Sequence, residues 1–187
     1  MQQQLIPYLR AGYAGLAVIT AEEARAESEI AATCAKLGRN LSAWSSSEGL
    51  VDTKERRAQP CADPLEALQL IEPKFANESP RHVIVMRDLQ LHLEQTDPML
   101  VRRLKDLLRL AKTNGHALIL LGCRLRLPAE LDHEITRIDF ALPGPSELGF
   151  VLNGIVESAK LTNPEETERE EILHAALGLT TIEAENV

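Results

Sequence analysis

The sequence predicts an α/β fold in which a parallel five-stranded sheet is flanked by helices and followed by a small helical segment. Apolar runs alternate with amphipathic helical patterns, and the runs at 82–86 and 117–121 are apolar at every position after the first residue. A strand that is apolar on both sides is covered on both faces, as in a parallel sheet between helices. From Pro143 onward the pattern is helical only. We therefore assign residues 1–142 to an α/β core and 143–187 to a helical segment. Its last helix has a start signal and no stop signal, so we expect an N-terminal piece of a longer protein, with a short frayed terminus as the alternative.

The composition is that of a globular protein. Of 187 residues, 44% are hydrophobic and 26% are charged, and the formal net charge is −8. This charge argues against tight sequence-blind binding of nucleic acid, which requires Lys and Arg to neutralise phosphates. No apolar run approaches the roughly 20 residues that cross a bilayer, and the N-terminus lacks a signal-peptide pattern, so we expect a cytoplasmic protein. The three cysteines have neither disulfide nor zinc spacing, and the five histidines share no metal spacing.

The first half of the core reads as helix, strand, helix, strand and loop. A lead-in helix or turn covers residues 5–14, and the first strand covers 16–20. The next helix, 21–37, carries an inward face at spacings of four, four and three, formed by Ala26, Ile30, Cys34 and Leu37. A second strand follows at 41–44. Residues 45–59 are rich in Ser and charges and read as a surface loop.

The second half continues the alternation. Asp63 is predicted as the N-cap and Pro64 as the first residue of a helix that Pro73 ends. Helix 98–113 is the clearest, with an apolar stripe formed by Leu100, Leu104, Leu107, Leu108 and Ala111. The remaining predicted elements are strands at 82–86, 117–121 and 136–142, a short helix at 128–134, and later helices at 146–159, 164–177 and from Thr180, where Glu183 completes a capping box.

The turn after the first strand lacks the features of a phosphate-binding loop. Such a loop needs several glycines, followed by a Lys and a Ser or Thr. Between Ile19 and Arg25 there is no Gly and no Lys. Thr20 and Glu23 instead fit a capping box, and Glu22 adds a second carboxylate. The sequence therefore predicts a helix start that repels a nucleotide phosphate.

Several stretches resemble the AAA+ module. Val83 to Asp88 resembles its Walker B strand, with Asp88 at the magnesium-side position, and Ile119 to Cys123 resembles its sensor-1 strand. Residues 128–143, followed by 146–148, resemble its last strand and the entry to its lid. The resemblance implies an AAA-like core without a P-loop and a helical lid.

A narrower resemblance covers nearly the whole chain. Five short motifs are similar to the N-terminal half of one bacterial and plastid AAA+ family, typified by a conserved hypothetical plastid reading frame of cyanobacteria and algae. In that family a degenerate first AAA-like domain precedes a second domain with an intact P-loop. The motifs lie at residues 18–23, 44–45, 63–68, 88–90 and 128–131.

The departures from the active pattern weigh more than the matches. Leu89 stands where the catalytic glutamate would follow Asp88, and Gly122 and Cys123 replace the polar sensor residue. We therefore carry no catalytic role over to this chain. Asp88 alone reads more readily as a cap or loop anchor than as a metal ligand, because magnesium usually shares its site with substrate phosphates.

One basic surface stands out in an acidic chain. Residues 99–127 contain seven basic residues and one acid, whereas 164–187 contain seven glutamates and one arginine. A solvated helix face is the simple interpretation of the basic run. The alternative is an interface for an acidic partner surface, where complementary charge sets specificity and association rate. Its candidate residues are Arg102, Arg103, Arg109, Arg124 and Arg126.

These observations lead to one functional prediction and one alternative. We expect a non-catalytic AAA-like interaction and assembly domain of a larger AAA+ ATPase, located in the cytoplasm, or in the plastid stroma if organellar. The resemblance implies ATP and Mg²⁺ in a separate domain, with that domain and neighbouring copies in a ring, such as a hexamer, as partners. The alternative is a clamp-loader-like structural subunit of a DNA-handling complex. A small enzyme with an unfamiliar site has no residue constellation to support it.

Overall fold

The alternating apolar segments build one seven-stranded sheet within the residues that the computed structural model describes, 2–94 and 97–186. The strand order is β4-β3-β2-β5-β6-β1-β7. The five strands β2, β5, β6, β1 and β7 are parallel, as predicted, and β3 and β4 join antiparallel beside β2. The strands are β1 (Gly15–Ile19), β2 (Asn40–Ser45), β3 (Gly49–Asp52), β4 (Arg57–Gln59), β5 (His82–Arg87), β6 (Ala117–Gly122) and β7 (Thr136–Asp139).

Helices cover both faces of the central strands. Alternate residues of one strand enter different cores: Ile84 and Met86 join one cluster, whereas Val83 and Val85 join the other. This is the arrangement that the uninterrupted apolar run predicts. The described helices are α1 (Gln2–Arg10), α2 (Glu23–Lys36), α3 (Pro64–Phe75), α4 (Leu89–Leu93), α5 (Pro98–Asn114), α6 (Pro145–Ala159), α7 (Glu166–Ala175) and α8 (Thr181–Asn186).

Two local predictions of helix ends are confirmed in hydrogen bonds. The Asp63 carboxylate accepts from the N–H groups of Leu65 and Glu66, at 2.6 and 3.3 Å, and caps α3. At the start of α8, the Glu183 N–H donates to Thr180 Oγ1 and the Thr180 N–H donates to Glu183 Oε2. Both motifs depend on residues at most three positions apart, so the sequence alone determines them.

Several element boundaries differ from the predictions. The predicted loop 45–59 instead holds β3 and β4, because polar and charged residues occupy an edge hairpin whose solvent-facing side chains give no apolar pattern. Pro73 lies inside α3, which ends at Phe75. The segment 128–134 contains a 3₁₀ turn at Ala129–Leu131 rather than an α-helix, and β7 ends at Asp139.

The chain divides into two compact units, residues 1–140 and 141–187. The second unit consists of α6, α7 and α8. On α6 the side chain of Leu148 is buried and those of Val151 and Ile155 are half-buried. Arg169 of α7 donates from Nη2 to the Gly149 carbonyl at 3.2 Å. None of the helices in the described part of the chain combines the length and apolar character that a membrane crossing requires.

A buried histidine links β5 to the loop after α5. His116 accepts the His82 N–H at Nδ1, at 2.9 Å, and its Nε2 lies 2.6 Å from the Asn77 carbonyl oxygen. Its ring stacks on Phe75 with centroids 4.8 Å apart. Because Nδ1 accepts, the neutral ring carries its proton on Nε2 and donates it to Asn77.

We expect acid to destabilise the protein through this histidine. Burial lowers the pKa of His116; the hydrogen bond to the Asn77 carbonyl raises it, and the positive charges of Arg39 and Arg81 lower it further. Burial also lowers the pKa of His82. Below about pH 6.5 the unfolded chain therefore binds protons that the folded chain excludes, so the free energy of unfolding falls as the pH falls. Urea unfolding followed by Trp fluorescence at pH 7 and pH 5 measures this loss.

A pair of variants isolates the contribution of His116. His116→Gln retains a donor for Asn77 but does not titrate, so the loss between pH 7 and pH 5 should be smaller than in the wild type. His174→Gln, on exposed α7, should match the wild type. Equal pH profiles for wild type and His116→Gln would contradict this assignment.

Candidate functional site at the carboxyl edge of the sheet

The carboxyl ends of the parallel strands meet at one edge, where open α/β sheets bind their ligands. Backbone hydrogen bonds join the strand ends: the Thr20 N–H donates to the Gly122 carbonyl at 3.0 Å, and the Asp88 N–H donates to the Leu121 carbonyl at 2.9 Å. We call the surface formed by residues 20–23, 87–90 and 122 the carboxyl edge. It is the place at which the sequence predicts a helix start in place of a phosphate loop.

The capping box predicted for Thr20 and Glu23 is wrong. Thr20 Oγ1 accepts from the N–H of Glu22, at 2.9 Å, rather than from that of Glu23. The Thr20 N–H, which the box requires for the Glu23 carboxylate, extends the sheet by donating to Gly122. The capping box therefore cannot form, because the Thr20 N–H that it needs is already hydrogen-bonded to a distant strand of the sheet.

Glu22 is buried at the start of α2, with 4% of its surface exposed. Arg25 Nε donates to its Oε2 at 3.1 Å, and Arg25 Nη2 contacts the same oxygen. The Arg25 guanidinium also lies over the Phe140 ring, 4.0 Å from the centroid. A carboxylate with its own cation therefore occupies the positive end of the helix dipole.

Arg87, at the end of β5, joins three carboxylates from two other elements. Its Nε and Nη2 donate to both oxygens of Glu27 on α2, at 2.6 and 3.0 Å, and its Nη1 donates to Glu48 in the turn before β3, at 2.5 Å. Glu23 Oε1 is 3.6 Å away. The hydrogen bond to Glu27 is the main reason that the pKa of Arg87 is raised. No sequence pattern predicted this cluster, although a charged residue that ends an apolar strand marks the position of Arg87.

The same cluster shifts the titration of Glu23. Its pKa is raised by burial first and then by the nearby carboxylates of Glu27, Asp88 and Glu48, against the opposing effect of Arg87. Glu23 thus resists ionisation chiefly because it is partly buried, and the neighbouring carboxylates add to this effect.

Replacing Arg87 with Ala should lower the free energy of unfolding by about 1–2 kcal/mol at pH 7, because Glu27 and Glu48 lose their shared cation. The pKa of Glu23 is already raised in the folded chain, and the charge of Arg87 opposes that rise, so its removal should raise this pKa further. Protonation of Glu23 then favours the folded state, so the deficit should shrink as the pH falls toward about 4.5.

Arg102→Ala is the matched control, since it breaks an exposed pair with Asp106 within one helix. We expect no measurable change in stability from it. Chemical unfolding at pH 7 and pH 4.5 compares the two variants, and equal losses for both would show that Arg87 does not organise the edge.

Asp88, Gln90 and Gly122 form a tight group at the centre of the edge. Asp88 adopts a left-handed backbone with φ 55°, and its Oδ1 accepts from Gln90 Nε2 at 3.2 Å. Gln90 is 1% exposed. A Cβ placed on Gly122 would overlap Gln90 Nε2 and lie 3.0 Å from Asp88 Oδ1. The Gln90 amide therefore fills the space into which a side chain at position 122 would project.

The predicted interface arginines lie elsewhere and are mostly engaged in ion pairs. Arg102 pairs with Asp106, and Arg109 lies 3.9 Å from that same residue. Arg103 is 3.6 Å from Glu72, and Arg124 is 3.1 Å from Glu94. Arg126 is exposed and lines a cavity of about 220 Å³ with Leu127 and Pro128. The structure brings these residues to α5 and the loop after β6, not to the carboxyl edge.

Solved structures with a similar fold include replication initiators. A DNA replication initiation factor aligns with 98% of this chain and 57% of its own, with TM-score 0.59 and 10% identity. Domain III of the Thermotoga maritima replication initiation protein DnaA aligns with 99% of this chain and 78% of its own, with TM-score 0.58 and 9% identity. At these identities the likeness establishes the fold alone, and it confirms the predicted class, a parallel sheet flanked by helices.

Curated relatives share sequence as well as fold. The AAA domain-containing protein ycf46 of Trieres chinensis is 31% identical over 160 residues, covering 85% of this chain and 31% of the relative. The corresponding protein of Guillardia theta is 28% identical over 173 residues, covering 92% and 33%. The chain thus spans about a third of the length of the curated relatives it matches.

A family model assigns most of the chain. The model of the SpoVK-like AAA ATPase N-terminal domain matches residues 1–140, which coincide with the first compact unit. This match and the ycf46 relatives confirm the resemblance inferred from the short motifs. The chain therefore belongs to the family of SpoVK-like AAA ATPase N-terminal domains.

Proposed function

We propose that this chain is a non-catalytic interaction and assembly domain of a larger AAA+ ATPase. One observation carries the proposal: the helix start after β1 holds the buried carboxylate of Glu22, already paired with Arg25. In a P-loop protein the corresponding N–H groups bind phosphate. A triphosphate placed here would face a buried negative charge whose cation is already engaged.

The rest of the carboxyl edge supports the same conclusion. Arg87, the last residue of β5, donates hydrogen bonds to Glu27 and Glu48 and is therefore already paired. The Gln90 side chain fills the space beside Gly122, at the predicted sensor position. Asp88 remains, but a single carboxylate holds magnesium weakly without substrate phosphates. The residues present do not fit a bound Mg-nucleotide, so ATP and Mg²⁺ are assigned to another domain of the parent protein.

We expect the purified 187-residue chain to show no magnesium-dependent ATP turnover. Phosphate release should equal that of the Asp88→Ala variant at every ATP concentration, because neither protein holds the nucleotide. A coupled phosphate assay measures the rate. Turnover that depends on magnesium and disappears in Asp88→Ala would overturn the proposal.

The partners in this proposal are the parent protein's own C-terminal ATPase domain and neighbouring copies in a ring, such as a hexamer. An unidentified client protein, and location in the cytoplasm or plastid stroma, complete the proposal. The acidic α7 and the exposed arginines of α5 offer complementary surfaces, of the kind that sets the register of an assembly.

A charge-reversal variant of the full-length protein tests these surfaces. Changing Arg102, Arg103 and Arg109 to Glu should reduce assembly at low salt, measured by sedimentation velocity, and the defect should diminish as salt screens the charges. Unchanged assembly at low salt would show that α5 is a solvated face.

A clamp-loader-like structural subunit is the second candidate. It is favoured by the fold that the chain shares with a replication initiator solved with single-stranded DNA, at TM-score 0.56 and 11% identity. The net charge of −8 and the ion pairs of Arg102, Arg103 and Arg124 oppose direct DNA contact. Binding to duplex DNA that weakens steeply with salt would favour this candidate.

A further inference from the structure

A polar cavity opens at the other end of the sheet, where β1 and β7 begin. It has a volume of about 350 Å³ and is lined by residues 11–15, α5 and the residues that lead into β7. This volume lies in the range of small-molecule sites. We call it the amino-edge cavity, and it shares no lining residue with the carboxyl edge.

Three exposed residues whose side chains carry N–H donors line this cavity. Arg109 and Lys112 come from α5, and His133 precedes β7. Among the described residues, neither Lys112 nor His133 forms an ion pair with a carboxylate, and the Arg109 contact to Asp106 is a loose 3.9 Å. Donors without a close carboxylate partner thus surround one cavity of a chain whose net charge is −8.

A purely structural role explains only part of this cluster. Lys112 lies in the last turn of α5, where a cation stabilises the helix dipole. That role does not require Arg109 one turn earlier, nor His133 from a separate segment. The cavity also contains one acid, the half-buried Glu134, which partly offsets the positive charge.

Two glycines and a tyrosine line the cavity beside the start of β1. Gly12 has φ 79°, a conformation that disfavours a side chain. Gly15 lies so close to the Glu134 carbonyl that any Cβ there would overlap it. The exposed ring of Tyr13 forms one wall, so the cavity combines an aromatic surface with three donors.

We propose that the amino-edge cavity binds the phosphate group of a phosphomonoester. The planar guanidinium of Arg109 offers paired donors to phosphate oxygens, Lys112 supplies a point charge and His133 supplies a further N–H donor. A phosphomonoester is nearly dianionic at neutral pH, so it gains more from this cluster than a carboxylate or chloride. The group can belong to a free metabolite or to a phosphorylated side chain of a partner.

Inorganic phosphate is the first probe. Titrated into the 187-residue chain at constant ionic strength, it should shift the NMR amide signals of Gly12, Gly15 and His133 in a saturable way, whereas chloride should not. A sugar phosphate and a phosphoserine tripeptide are then titrated in parallel, and the tighter ligand identifies the source of the phosphate.

Three variants connect the binding to the cavity. Lys112→Ala combined with His133→Ala should weaken phosphate binding about tenfold or more, as expected from the loss of charge-assisted hydrogen bonds. Lys105→Ala removes the same charge from the same helix two turns earlier, outside the cavity, and should change affinity less than about twofold. Glu134→Gln removes a repelling carboxylate and should tighten binding, a gain that structural damage cannot produce.

Two results would overturn the proposal. One is that phosphate shifts these signals no more than chloride does. The other is that Lys112→Ala combined with His133→Ala binds phosphate as tightly as Lys105→Ala does. Circular dichroism of each variant confirms that the fold is retained, and Glu134→Gln keeps the test decisive if the double variant unfolds.

Discussion

Gly49→Ala is expected to lower the free energy of unfolding by about 3–6 kcal/mol. Gly49 begins β3 with φ 75°, and a Cβ there would overlap the Gln59 carbonyl and lie 2.7 Å from Cys61 N and 2.9 Å from Pro60 Cα. All three neighbours are backbone atoms, so no side chain can move aside. The variant therefore combines strain at positive φ with forced separation of β3 from the chain after β4.

Gly38→Ala is the matched control, because it separates these two costs. Gly38 also has a positive φ, 62°, but a Cβ there meets no atom within 4 Å. Gly38→Ala should lower the free energy of unfolding by only about 1 kcal/mol, which is the cost of the left-handed backbone alone. Urea unfolding of both variants checks the difference, and similar losses would mean that the close approach around Gly49 relaxes freely.

Arg39→Ala should lower the free energy of unfolding by about 2–5 kcal/mol. Arg39 is 9% exposed and lies between α2 and β2. Its Nη2 donates to the Leu9 carbonyl of α1 at 2.7 Å, and its Nη1 donates to the Gly115 carbonyl after α5 at 3.0 Å. Removing it leaves two acceptors without their donors, and each costs about 1–3 kcal/mol when buried.

Two further variants identify the cause of the loss. Arg39→Lys keeps the charge but lacks the fork that reaches both carbonyls, so an intermediate loss is expected. Arg81→Ala should leave stability unchanged or slightly raised, because the positive charge of Arg81, after burial, lowers the pKa of Arg39. Thermal or urea unfolding measures all three. If Arg39→Ala and Arg81→Ala were equally stable, the two carbonyl contacts would not tie α1 and α5 to the sheet.

Both predictions concern contacts between distant segments, which sequence patterns could not foresee. Arg39 bonds to residues 30 and 76 positions away. Gly49 meets the chain ten to twelve positions later through a hairpin that the sequence presents as a charged loop. The apolar signal is weak there because β4 is exposed at all three residues.

Some features of the candidate site are visible in the sequence, and others depend on contacts between distant segments. The missing glycines and lysine after β1, Leu89 beside Asp88 and Gly122 at the sensor position are visible in the sequence alone. The partners of Arg87 and the amide of Gln90 over Gly122 are not, since they depend on which elements meet at the carboxyl edge.

The sequence by itself determined the five parallel strands, the apolar stripe of α5, the Asp63 cap and the Thr180 capping box. Each follows from periodicity or from hydrogen bonds that span a few residues. Only the tertiary structure decided the turn after β1. There Thr20 gives its N–H to Gly122, about a hundred positions away, so the local capping box cannot form. A backbone N–H makes one strong hydrogen bond. The bond from Thr20 to Gly122 forms because it also provides a donor for the buried carbonyl at the end of β6.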